Sequence, residues 1–170
     1  MTESELSNLR DKRSGQLANR HRHGATTTSA ALTVLVFTVG KERYGVDLAD
    51  LAEVLSYSGC TVVPNPPPAL LGLINVRGEI RPLFDAARLL DVELEPTDAG
   101  NVLMVPAHST VVGFKVDRIE HVRDLQFNEV SFAKQDQVER NARHLKGVTQ
   151  DTLRLIDVVS LTYQLFPSVD

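Results

Sequence analysis

The residues here that could do chemistry are carboxylates, a few histidines and one thiol. Glu53, Glu79, Asp85, Asp117, Glu120, Asp124 and Asp157 could supply an acid–base pair, one group giving a proton while the other takes it. Their spacing sets no two of them in a recognisable catalytic arrangement, and helix caps or solvated faces account for such residues equally well. His108, His121 and His144 lack metal-ligand spacing to one another or to Cys60. His21 and His23 have no third ligand beside them. Cys60, the single cysteine, reads as a small buried hydrophobe and allows no intrachain disulfide. The chain also lacks a phosphate-binding Gly-x-x-x-x-Gly-Lys loop, a Gly-x-Gly-x-x-Gly fingerprint and a Gly-x-Ser-x-Gly elbow. Chemistry by these residues would need carboxylates brought together by the fold; no cofactor or metal is expected.

Charge and composition narrow the partners. Residues 1–30 hold five Arg or Lys against three acids, a net of +2, which leaves −6 for residues 31–170. An acidic body does not suit a phosphate backbone, and nine aromatics without a Trp make few stacking platforms, so nucleic acid is not expected. No apolar stretch approaches the ~18 residues that span a bilayer, and the N-terminus lacks a signal-peptide core, so a cytoplasmic protein without membrane insertion is expected.

The elements that must position these residues are short. Residues 1–30 read as a basic, disordered tail in which only Leu6, Leu9 and Leu17 could form an apolar face. Leu32 to Val39 reads as a buried strand, and Gly40-Lys41-Glu42 as a turn into a second strand from Arg43 to Asp47. Apolar residues at 48, 51, 52, 54 and 55 predict one or two helical turns capped by Asp47, with Leu51 and Val54 on one face. Thr61 to Pro64 reads as a short strand entering three prolines, and Ala69 to Gly72 as a helical turn. Two apolar runs then flank Asn75-Val76-Arg77-Gly78, which predicts strand, tight turn, strand, with Val76 and Arg77 at an exposed tip. Asp85 is placed to cap a helix over 86–90. Residues 91–100, acidic and turn-rich, are expected to divide two subdomains. Strands follow at 101–105, 111–117, 119–123, 144–148 and 153–157, with an irregular or helical stretch over 127–138 and a closing helix over 158–166. Nine or ten short strands at close spacing argue an all-β fold of small barrels or a sandwich, without an evident repeat period.

Several segments occur together in the order of one family. They are Leu35 to Gly40 with Arg43 to Asp47, Leu51-Ala52-Glu53-Val54, Val63 to Pro67, Gly72 to Asp85, Val111 to Asp117, Leu145 to Val148 and Leu155 to Val158. The set resembles the CheW family of bacterial chemotaxis coupling proteins over residues 31–166. It departs at Asp85-Ala86-Ala87, where the family often has Asp-Leu-Arg, and over 128–141. The resemblance implies two five-stranded, SH3-like barrels side by side, followed by a short end over 167–170, and no fused receiver domain or kinase segment is expected. It also implies a non-catalytic adaptor between the cytoplasmic tip of methyl-accepting chemotaxis receptors and the regulatory domain of a CheA-type histidine kinase, recruited to membrane-associated receptor arrays. The binding residues it implies are Leu51, Glu53, Val54, Asn75, Val76, Arg77 and Gly78. Two other functions stand beside it: a barrel that senses a small molecule, and an enzyme using paired carboxylates.

Overall fold

A computed structural model describes residues 31–95, 97–132 and 144–166 of the chain. The tail over 1–30 with its His21-Arg22-His23 run, residues 133–143 and the end over 167–170 lie outside the described residues.

Eleven strands occur among the described residues. They are β1 (Ala31–Val39), β2 (Glu42–Asp47), β3 (Glu53–Ser56), β4 (Leu70–Val76), β5 (Glu79–Asp85), β6 (Asn101–Ala107), β7 (Thr110–Val116), β8 (Arg118–Gln126), β9 (Val130–Phe132), β10 (Leu145–Thr149) and β11 (Arg154–Ile156). Two α-helices accompany them, α1 (Ala86–Leu89) and α2 (Val158–Leu165), capped by the Asp85 and Asp157 carboxylates. One sheet runs β8-β1-β2-β11-β10-β9 and the other β3-β6-β7-β5-β4. The all-β, two-subdomain architecture agrees with the expectation. The count is six plus five rather than five plus five, and by backbone pairing each sheet stays open.

Burial explains why the central strands read as continuous apolar runs. In β1, Val34 and Val36 enter a core with Leu125, Leu153 and Leu155, inside the six-stranded subdomain. Leu35, Phe37 and Val39, on the opposite face, enter a larger core shared with the other sheet. β6 divides the same way. Val102 and Met104 face Leu83 within the five-stranded subdomain, while Leu103, Val105 and Ala107 face the shared core. Strands with both faces buried have no polar alternation to show. A one-residue slip would exchange the two cores, so register is tightly held.

Four local expectations are corrected. The segment after Asp47 is a single 3-10 turn, Leu48–Asp50, and Leu51 is already extended at φ −99°, ψ 135°. Val54 lies in β3 opposite Leu103, so Leu51 and Val54 share no helical face; strand pairing overrides the local apolar spacing. Leu70 to Gly72 begins β4 instead of a helical turn, since Leu70 pairs with Phe84. Thr61 to Pro64 contributes only one bridge, Thr61 to Leu73. Residues 91–100 divide no subdomains, because α1 before them and β6 after them belong to the same one. The chain crosses between subdomains at Asp47 and again at Asp117, whose N–H donates to Thr38 O at 3.0 Å and whose carboxylate accepts from Gly40 N at 2.6 Å.

Candidate functional site

The β4–β5 hairpin is closed by two residues, since Val76 pairs with Glu79. Arg77 and Gly78 both have positive φ, 52° and 87°, the signature of a type I′ turn that matches strand twist. Gly78 meets this demand without a side chain to clash. The Asn75 Oδ1 accepts from Gly78 N at 2.8 Å and holds the turn from below.

That turn stands at the open side of the five-stranded sheet, where β3 and β4 are its two edges. Arg77 reaches across to Glu53 on β3. Its Nη1 donates to Glu53 Oε1 at 3.0 Å and its Nη2 lies 2.8 Å from Oε2. The planar guanidinium thus meets the carboxylate with two parallel bonds. The side chain of Arg77 is 76% exposed and that of Glu53 27%. A side-chain clasp joins the edges that backbone pairing leaves apart.

Beneath the clasp is an open cleft of about 310 Å³, lined by Ala52, Glu53, Val76, Arg77, Glu79, Arg81, Met104 and Val111. Arg81 pairs with Glu79 and donates to Thr110 Oγ1 at 3.0 Å. The predicted residues therefore divide. Glu53, Val76 and Arg77 meet at the cleft, and Asn75 and Gly78 build its turn. Val76 is half-buried against Leu83, Val102 and Met104 and is no free tip residue. Val54 projects from the other face of β3, 39% exposed beside Leu103, and Leu51 packs on the shared core. Val54 is thus a surface residue and not part of the core.

Arg81 and Val111 are absent from the predicted binding set, as is Glu79, which the sequence presents only as one of several candidate carboxylates. The alternation Glu79, Arg81, Leu83 along β5 is the signal that could have found them: two charges continue the face that ends on a buried leucine. The exposed Ile80 beside the turn, and Val122 and the tilted ring pair of Phe127 and Phe132 on the six-stranded subdomain, are further apolar surface that motif reading does not reach. Among the described residues no group of three His, Cys, Asp or Glu could hold a metal. No described helix is long and apolar enough to cross a membrane.

Two small β subdomains share a core, and the edges of one carry a charged clasp above a shallow mixed cleft. The family model for the CheW-like domain matches residues 33–165, and the chain belongs to that family. Similar curated proteins include the chemotaxis protein CheW of Rhizobium meliloti (strain 1021), 27% identical over 142 residues, 83% of this chain and 91% of that protein. The chemotaxis protein CheW of Klebsiella aerogenes is 29% identical over 131 residues, 75% of this chain and 79% of that one. Among solved structures, the scaffolding protein TtCheW from Thermoanaerobacter tengcongensis superposes with a TM-score of 0.67 at 22% identity, covering 75% of this chain and 90% of that chain.

Proposed function

We propose that this protein is a non-catalytic chemotaxis adaptor, which holds a CheA-type histidine kinase beside the cytoplasmic tip of methyl-accepting receptors. The observation that carries the reading is the family match over 33–165, nearly the whole described chain. The geometry supports it. The cleft is open and shallow, its charged groups already neutralise one another, and its walls carry Val76, Val111 and Met104. Such a surface suits a partner that brings its own apolar anchor and charged rim, as a helix laid into a groove does. An adaptor of this kind works by simultaneous binding, which raises the effective concentration of kinase at receptor. It acts in the cytoplasm at receptor arrays and needs no cofactor.

The Arg77–Glu53 clasp is the residue pair we place at the partner surface, with Asn75 and Gly78 as its support, Val76 as the apolar wall below, and Leu51 and Val54 on the neighbouring rim. The test is co-purification with the receptor and kinase from the same genome, comparing wild type with Arg77→Ala. Loss of either partner by a folded variant is expected. Wild-type retention of both would remove the clasp from the interface, and failure of the wild-type protein to bind either would overturn the adaptor reading.

A further inference from the structure

The two ion pairs at the cleft are built differently. In the Arg77–Glu53 clasp the cation is the exposed member, and both of its terminal nitrogens meet the carboxylate. Below it the order is reversed. The Arg81 side chain is 21% exposed and that of Glu79 67%, and a single Nη2–Oε2 contact joins them. Arg81 has a second hold: its Nη1 donates to Thr110 Oγ1 at 3.0 Å, tying β5 to the start of β7. Arg81 is therefore the fixed half of the pair. Glu79, the first residue of β5 after the turn, is the half that can leave.

The position of Arg81 explains why it needs an anion at all. Side chains alternate along a strand, so Arg81 shares the inward face of β5 with Leu83 and lines the cleft with Val76, Met104 and Val111. A cation largely withdrawn from water is costly without a counter-charge. Glu79 supplies one, but from solvent. Its carboxylate stays hydrated, so the attraction is screened, and its side chain gives up rotamer freedom to hold the contact. A partner laid over the cleft would strip water from Arg81. A carboxylate arriving with that partner would meet the guanidinium in a drier setting, where a charge-assisted bond is stronger. Glu79 would return to water at little cost, being two-thirds exposed already.

We propose that Glu79 holds the place of a partner's carboxylate, and that Arg81 is the residue by which this cleft selects a helical segment carrying an acid beside an aliphatic anchor. The inference rests on the adaptor reading and adds to it the chemistry of the partner. The acid displaces Glu79 on Arg81, and the anchor meets Val76, Val111 and Met104. The pair also discriminates. A segment without an acid must bury the Glu79–Arg81 pair beneath it or leave Arg81 unpaired, and either penalises the wrong partner.

The experiment titrates the full chain by calorimetry with the cytoplasmic fragment of the receptor and, separately, with the kinase from the same genome. Glu79→Gln frees Arg81 and keeps the size of an exposed side chain. It is expected to tighten binding of one of the two about two- to fivefold. Arg81→Gln is expected to weaken binding of that same partner about tenfold or more. In the double variant the gain from Glu79→Gln is expected to vanish. Replacing the partner's acids by Gln one at a time should find one whose loss weakens binding to wild type and leaves binding to Arg81→Gln unchanged. A Glu79→Gln variant that binds both partners no tighter than wild type overturns the proposal, and that measurement decides alone where the Arg81 variant fails to fold. Wild-type protein that binds neither partner is the failure of the adaptor reading and takes this inference with it.

Discussion

Arg77 holds a left-handed backbone conformation, which costs an ordinary L-residue roughly 1–2 kcal/mol and which asparagine tolerates better. Its exposed pair with Glu53 contributes only about 0–1 kcal/mol to stability. Arg77→Asn should therefore leave stability equal or raise it by up to ~1 kcal/mol in urea denaturation, while partner binding falls. A large loss of stability would show instead that the clasp serves the fold. Two other residues carry pH signatures. The Thr149 hydroxyl, followed by the Arg123 guanidinium, holds the Asp151 carboxyl down at about 2. A lowered acid contributes stability that is complete above its unfolded value near 4 and is lost as pH falls through 2. Asp151→Asn should flatten the acid limb of a stability–pH profile between about pH 4 and 2. Burial, reinforced by its hydrogen bond to Glu42, pushes the Tyr44 phenol up to about 12. Its contribution is present below its unfolded value near 10 and is lost as pH rises through 12, so its ultraviolet titration should fall well above that of a free tyrosine.

Among the elements, the parallel contact of β7 with β5 depends on Gly113. A Cβ there would stand 2.8 Å from Val102 Cγ1 and 3.0 Å from Leu83 Cδ1, so Gly113→Ala should cost about 1–3 kcal/mol by overpacking. The closing helix α2 plants Val158 and Leu161 in the shared core, and Phe166, its C-cap, meets the Phe84 ring edge-on at 6.1 Å. Leu161→Ala should cost about 2–5 kcal/mol. Chemical denaturation measures both. These elements also show what the residues alone disclose. β1, β2, β5, β7 and α2 are legible because burial on both faces, a glycine turn or an aspartate cap leaves a local mark. β3 is not, because Leu51, Val54 and Leu55 happen to lie at helical spacing and only the distant partner Leu103 makes a strand of them. Glu53 and Arg77, and their nearness, follow from the resemblance; the open sheet edges across which they meet are encoded in no local pattern. Arg81 is legible only through its alternation with Glu79 on β5, and its bond to Thr110 comes from the fold.

At the scale of the molecule, the central strands β1, β2, β6 and β7 are committed on both sides to one core or another, and solvent reaches chiefly the margins: β3, β4, β8, β9 and the turns. Most residues of β1 or β6 therefore cannot change without disturbing packing. Val54, Ile80, Val122, Phe127 and Phe132, all on or beside the margins, are free of that constraint. Inheritance in such a molecule runs at two speeds. Packing constrains the interior whatever the partner, while the rim is free to change with whatever surface it must fit, so a new specificity can arise without the fold being reinvented.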